Sequence, residues 1–187
     1  MYMESLQIND HLQLERIKEI YAPVIFEAII ENRTFLRKWL PFVDYTQKLS
    51  DTQAFVKSIV NIPSSERDEV YIIWFKGEFA GLIGFKDTDP VNGKTELGYW
   101  IIEKMQGKGI VTKAVEKLID YAFRKLKMNR IQIKVAAGNQ RSAAIPKRLE
   151  FKFEGIEREG EKHQNRFFNL EIYSLLKKEW IKTSRSE

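Results

Sequence analysis

Hydrophobic and polar positions alternate over residues 11–17, His11-Leu12-Gln13-Leu14-Glu15-Arg16-Ile17, and that period of two predicts a first strand. The period then lengthens. Over residues 22–32 the apolar positions Val24, Ile25, Ala28 and Ile29 recur at helical spacing, with Pro23 in the first turn, where a missing N–H is tolerated. Thr34 is positioned to cap a second short helix over 35–40, which Pro41 stops. A third helix starts at Ser50 or Asp51, turns Ala54, Phe55, Ser58 and Ile59 to one face, and ends before Pro63. After a polar link at 64–68 the pattern returns to strands. Residues 70–75 and 79–85 flank Lys76-Gly77-Glu78 as a hairpin, and the turn Asp89-Pro90-Val91-Asn92-Gly93 leads into a further strand.

The helix that follows has the strongest contrast in the chain. Val111, Ala114, Val115, Leu118, Ile119, Ala122 and Phe123 form one apolar face, with Lys113, Lys117, Asp120, Arg124 and Lys125 on the other. Residues 130–135 alternate again as a strand. Asn139 is a candidate N-cap for a short helix over 140–149. Segments 151–158 and 167–175 complete the sheet as a hairpin around residues 160–164, and a loose polar tail is expected from about 177. The order β-α-α-α-β-β-β-α-β-α-β-β reads as one α+β domain, a mixed and mostly antiparallel sheet flanked by helices.

One stretch carries the chemistry, residues 95–112. Leu97, Tyr99 and Ile101 alternate with Glu96, Gly98 and Trp100 as a strand, which passes through Gln106-Gly107-Lys108-Gly109 into the amphipathic helix. A strand, a glycine turn and a helix start aim several backbone N–H groups at one point, with the helix dipole behind them. That is an anion site made of main chain, suited to a cofactor pyrophosphate.

Composition narrows the alternatives. No apolar run reaches the roughly 20 residues that span a bilayer, and the first residues lack the basic start and apolar block of a secretion signal. A cytoplasmic protein with no membrane partner is expected. With no cysteine, thiolate metal sites and a cysteine nucleophile are excluded, and no His-x-x-x-His pair offers a metal site. The net charge of +5 arises from interspersed signs rather than a basic run, so no nucleic-acid partner is expected. Neither Gly-x-Ser-x-Gly, Gly-x-Gly-x-x-Gly nor a P-loop occurs. The histidines, His11 and His163, read as surface or packing residues.

Taken together, Glu96-Leu97-Gly98-Tyr99-Trp100 with Gln106-Gly107-Lys108-Gly109-Ile110-Val111-Thr112 resembles the acetyl-CoA signature of the GNAT N-acetyltransferases, in particular the RimJ/RimL branch. Asn32-x-x-x-Leu36-x-x-Trp39-Leu40-Pro41 upstream matches the same branch. Downstream, Asn139-x-x-Ser142, Arg148 to Gly155 and Tyr173-Ser174-Leu175-Leu176 match it in order. The resemblance implies that Gln106, Gly107, Lys108, Gly109, Ile110, Val111 and Thr112 hold the pyrophosphate of acetyl-CoA. It implies that Trp100, Ile101 and Ile102 offer main chain to the pantetheine, and that Asn139 and Ser142 line the cofactor from the other side. It further implies an acetyl acceptor with a primary amine, which is a protein N-terminus such as that of a ribosomal protein, or a small amine such as a polyamine or aminoglycoside. A basic binding module without catalysis is the alternative of another class. Asn32, Arg33, Trp39 and Phe42 are candidate acceptor-lining residues, and family habit with exposed strand edges suggests a homodimer.

Three positions depart from the family pattern. Val111 stands where the loop has Gly or Ala, Glu150 where a Gly ends the short helix, and Pro146 where many members carry a tyrosine acid. Ser142 is the substitute that the resemblance suggests. Glu96, on the strand facing the expected thioester, is the candidate general base, acting through water. An α-amine, with a pKa of about 7.7–8.0, suits such a base better than a lysine near about 10.4. No metal is expected.

Overall fold

Residues 3–62 and 68–183 are described by the computed structural model; Pro63, most of the expected polar link and the last four residues lie outside them, as do Met1 and Tyr2. The chain forms β1 (Ser5–Asn9), β2 (Leu12–Arg16), α1 (Ala22–Glu31), α2 (Arg33–Leu36), α3 (Leu49–Val60), β3 (Val70–Phe75), β4 (Glu78–Asp89) and β5 (Lys94–Ile101). Then follow α4 (Ile110–Arg124), β6 (Arg130–Ala136), α5 (Gln140–Arg148), β7 (Lys152–His163), β8 (Arg166–Leu176) and α6 (Lys177–Thr183). Short 3-10 turns occupy Glu19–Tyr21, Pro41–Asp44 and Glu103–Met105. The eight strands form a mixed sheet in the order β1-β2-β3-β4-β5-β6-β8-β7.

The chain divides into two compact units. The first comprises Met1–Gly84 and Tyr99–Ala114, the second Phe85–Gly98 and Val115–Glu187. In the first, antiparallel pairs β1/β2, β2/β3 and β3/β4 put Leu12, Leu14, Tyr71, Ile72 and Ile73 out of solvent, and α1 contributes Ile25 and Ile29. In the second, the apolar face expected of α4 is buried as read, with Phe85 stacked on Tyr121 at 6.4 Å. There β6 pairs antiparallel with β8 along its whole length, Arg130↔Leu176 to Ala136↔Leu170.

Four local expectations need correction. Strand β1 was not expected, because Ser5–Asn9 carries a single buried residue, Leu6, and owes its strand geometry to pairing with β2. Helix α2 spans Arg33–Leu36 rather than 35–40, with Asn32 and not Thr34 at its N-cap. Helix α3 buries Thr52 and Val56, while Ala54, Phe55 and Ser58 are exposed. Two stripes compete on that helix, and the short β-branched side chains face inward where α3 packs on α1, since contact side chains set how closely helices approach. Helix α6 occupies the start of the expected loose tail.

Candidate active site

The strand–turn–helix stretch has the expected form, and each step has a local cause. Near the end of β5, Trp100 and Ile101 lie so close to β4 that only a glycine fits at position 81. A Cβ on Gly81 would stand 2.0 Å from the Trp100 carbonyl oxygen and 2.9 Å from Ile101 Cα. Just past β5, the Ile102 N–H donates to the Ala80 carbonyl at 2.9 Å. The chain then makes one 3-10 turn, with Met105 N–H on the Ile102 carbonyl and Gln106 N–H on the Glu103 carbonyl, both at 3.1 Å.

Gly107 and Gly109 both have φ of 72°, the left-handed region that favours glycine. A Cβ on either would meet nothing within 4 Å, so conformation rather than crowding demands glycine, and the turn faces open space. The ladder of α4 begins with Lys113 N–H on the Gly109 carbonyl at 3.1 Å. The N–H groups of Ile110 and Val111 therefore have no partner inside the helix, and they sit at the positive end of its dipole. The Ile110 and Val111 side chains are buried. Val111 thus directs its extra bulk into the core and keeps its amide at the helix start, so this departure from the glycine pattern leaves the expected main-chain donors in place. Thr112 is half-buried, one residue further into the first turn. Lys108 reaches the Met105 sulfur at 3.7 Å, and Lys113 is exposed. Lys104 pairs with Glu78 at 2.6 Å, and that hydrogen bond holds the Glu78 carboxyl below its ordinary value, with a smaller contribution from Lys108.

In the same unit the candidate acceptor residues separate by role. Asn32 is bonded at both ends of its amide, accepting from the Glu103 N–H at 3.0 Å and donating to the Ala28 carbonyl at 2.9 Å. Arg33 donates to the Val43 carbonyl at 2.6 Å and to the Thr46 carbonyl, so it braces the turn Pro41–Asp44 from within. Trp39 is half-buried and Phe42 exposed. The Phe42 ring lies 6.3 Å from Trp100, which lies 5.8 Å from Phe79. Phe79 contacts Trp74 at 6.1 Å, and Trp74 contacts Tyr21 at 5.9 Å. This row of five rings ends on Glu15, which accepts from Trp74 Nε1 at 3.0 Å and from the Tyr21 hydroxyl. The carboxylate pushes the Tyr21 phenol up to about 12. Of the row only Phe42 and Trp100 were expected. Gly81 was also missed, although a glycine inside a strand pattern is a signal for close backbone approach.

The second unit holds Glu96, Asn139 and Ser142. Parallel pairing of β5 with β6 covers three residue pairs, Lys94↔Arg130, Thr95↔Ile131 and Glu96↔Gln132, although β5 continues to Ile101 and β6 to Ala136. Glu96 is therefore at the last paired position. It is 3% exposed, with Oε1 on Lys86 at 2.7 Å and Oε2 accepting from Gln132 at 3.0 Å. On β6, Lys134 pairs with Glu157 at 2.7 Å; that bond raises its pKa against desolvation, and Glu96 adds to the rise.

Asn139 caps α5 as expected, its Oδ1 accepting from the Ser142 N–H at 3.2 Å. Ser142 is thus a half-buried first-turn residue, and Pro146 lies within the helix and supplies no N–H to the ladder. A cavity of about 440 Å³ lies along Gln140, Ala143, Ala144 and Lys147, with Glu171 of β8 on its wall. Among the described residues no cluster of three His, Asp or Glu side chains is arranged to hold a metal, and no helix is long and apolar enough to cross a membrane.

Comparison with known proteins agrees with this geometry. A family model described as an acetyltransferase (GNAT) domain matches residues 11–152. YdaF of Bacillus subtilis (strain 168), provisionally named a ribosomal N-acetyltransferase, is 36% identical over 184 residues, 95% of this chain and 98% of its own. The ribosomal-protein-serine acetyltransferase of Escherichia coli (strain K12) is 26% identical over 92% of this chain and 97% of its own. The solved structure of the microcin C7 self-immunity acetyltransferase MccE, in complex with acetyl-CoA and AMP, superposes with a TM-score of 0.88 at 27% identity, covering 94% of this chain and 97% of that one. The match runs through the glycine turn and across most of the chain, and on that basis this protein belongs to the GNAT acetyltransferase family.

Proposed function

We propose that this protein is an acetyl-CoA-dependent N-acetyltransferase acting on a primary amine, and that its acceptor is the N-terminal α-amino group of a protein such as a ribosomal protein. The observation that carries the first part is the turn itself. Two glycines at φ of 72° open onto the amides of Ile110 and Val111, with Lys108 and Lys113 adjacent in sequence. A pyrophosphate is the part of acetyl-CoA that such a turn fits. The main chain of Trp100, Ile101 and Ile102 runs on from the last paired position of β5, and it is our candidate for the pantetheine contact. The acceptor is supported by similarity to YdaF and the E. coli ribosomal-protein-serine acetyltransferase, both named for ribosomal substrates. Such an acceptor suits a cytoplasmic enzyme.

In this reading the neutral amine attacks the thioester carbonyl carbon, the C–S bond breaks, and the thiol leaves as thiolate. The proton released by the amine passes through water to Glu96. Lys86 and Gln132 fix the orientation of that carboxylate from both oxygens. Ser142 is assigned to the side of the leaving thiolate, which is itself a tolerable leaving group at a thiol pKa of about 8.5. Trp39 and Phe42 are the acceptor-lining candidates that remain after Asn32 and Arg33 are accounted for by their own main-chain bonds.

The test is an acetyl-transfer screen that reads thiol release with N-terminal peptides of ribosomal proteins, polyamines and aminoglycosides. Turnover with the peptides is expected; turnover confined to polyamines or aminoglycosides overturns the acceptor, and none with any amine favours a binding module. Glu96→Gln should lower kcat about 100-fold with acetyl-CoA affinity unchanged. Equal turnover of the variant across pH removes Glu96 from the mechanism.

A further inference from the structure

Asn32 and Glu103 are 71 residues apart, yet the Glu103 N–H donates to Asn32 Oδ1 at 3.0 Å. The Asn32 side chain is itself held. Its Nδ2 donates at 2.9 Å to the Ala28 carbonyl, which also accepts the Asn32 main-chain N–H at 3.2 Å. Two donors of one residue on one carbonyl fix the side chain against the end of α1 and leave Oδ1 directed at Glu103. Glu103 opens the 3-10 turn, and its carbonyl accepts the Gln106 N–H where the glycine turn begins. One residue earlier, Ile102 is bound to Ala80 of β4. The entry to the glycine turn is therefore pinned from two directions, by β4 at Ile102 and by α1 at Glu103. The exit is set separately, by the buried Ile110 and Val111 side chains of α4.

We propose that Asn32 is a positioning residue for the cofactor turn: through the Glu103 N–H, helix α1 sets where the turn starts and hence where its amides converge. The proposal rests on the reading of that turn as the acetyl-CoA site. It also separates two bonds with different duties. The bond to Ala28 ends α1, and the bond to Glu103 serves the cofactor. Glu103 itself is exposed, so water can satisfy its N–H when Asn32 is replaced, and the fold does not depend on the bond.

The experiment compares Asn32→Leu, which removes both bonds at similar volume, with Asn32→Asp, which keeps an acceptor for the Glu103 N–H and loses the donor to Ala28. Calorimetric titration with acetyl-CoA, melting temperature, and KM for the acceptor peptide are measured on the full chain. Asn32→Leu should weaken acetyl-CoA roughly five- to tenfold, the size of one net hydrogen bond, with acceptor KM unchanged. Asn32→Asp should bind acetyl-CoA within about twofold of wild type while melting lower, because the Ala28 bond is gone. Equal acetyl-CoA affinity in wild type and Asn32→Leu overturns the proposal, as does equal weakening in both variants. A change confined to acceptor KM overturns it in favour of an acceptor contact. Failure of the wild type to bind acetyl-CoA overturns the reading of the turn, on which the proposal stands.

Discussion

At Glu150 a bulky charged residue has φ of 59°, where a glycine would be at ease. The reason is the end of α5. Phe151 N–H donates to the Pro146 carbonyl at 2.9 Å and Glu150 N–H to the Lys147 carbonyl at 3.3 Å, the paired bonds of a Schellman motif with Glu150 as its left-handed residue. The strain of a non-glycine residue there is about 1 kcal/mol, partly offset in the unfolded chain by glycine's greater freedom. Glu150→Gly should therefore stabilise the protein by up to about 0.5 kcal/mol and raise the melting temperature by about 1–2 °C. Differential scanning calorimetry checks this, and a lower melting temperature would contradict it. The position was legible in the sequence because the family pattern marks a glycine there. The role of Asn32 was not legible, because its partner is 71 residues away and no local pattern encodes it.

Among elements, the pairing of β6, β7 and β8 carries the clearest pH dependence. Arg130 of β6 grips Glu154 of β7 with both terminal nitrogens, at 2.7 and 2.5 Å, and Ser174 of β8 donates to the same carboxylate at 2.6 Å. The guanidinium first, and the hydroxyl after it, hold the Glu154 carboxyl down to about 2 from 4.5. A depressed carboxyl contributes its stability above its unfolded value and loses it on acidification. The contribution is thus full above about 4.5 and disappears as pH falls toward 2. The pair is partly exposed, which limits it to on the order of 1 kcal/mol. Glu154→Gln should lower the melting temperature at pH 7 by about 2–4 °C and flatten its decline between pH 4.5 and 2, as measured by thermal melts across that range. A decline as steep as that of wild type would show that other carboxylates govern the acid limb. Elements differ in how far their sequence betrays them. In helix α4 every residue expected on the apolar face is buried, although Ile110 and Tyr121, which were not expected there, are buried too. Helix α3 was misread, because Phe55 and Ile59 offered a second stripe that packing on α1 declined.

For the whole molecule, the order of elements from β2 to β8 was readable from period changes, β1 and α6 were not, and the family followed from motifs spread along the chain. Distances between motifs remained beyond reach. Gly81, Trp74 and Glu15 gain their meaning only from neighbours that folding brings in. Cofactor binding gives the molecule-wide test, because a ligand that binds only the folded state stabilises it by mass action. Acetyl-CoA at about 100 times its dissociation constant should add about 2.7 kcal/mol and raise the melting temperature by roughly 5–10 °C. Coenzyme A without the acetyl group should do nearly as well, since the contact proposed for the turn is to the pyrophosphate, which both ligands carry. A thermal-shift titration reads both, and no shift with either would leave the glycine turn without a ligand.

Trp100 has one further consequence. It stands in a row of rings between Phe79 and Phe42, and its own main chain is the edge we propose for the pantetheine. With the pantetheine on that edge, binding is expected to alter the solvent exposure of this indole and so its emission. A change in tryptophan emission on adding acetyl-CoA that a Trp100→Phe variant loses would report that contact without a label, against the background of Trp39, Trp74 and Trp180.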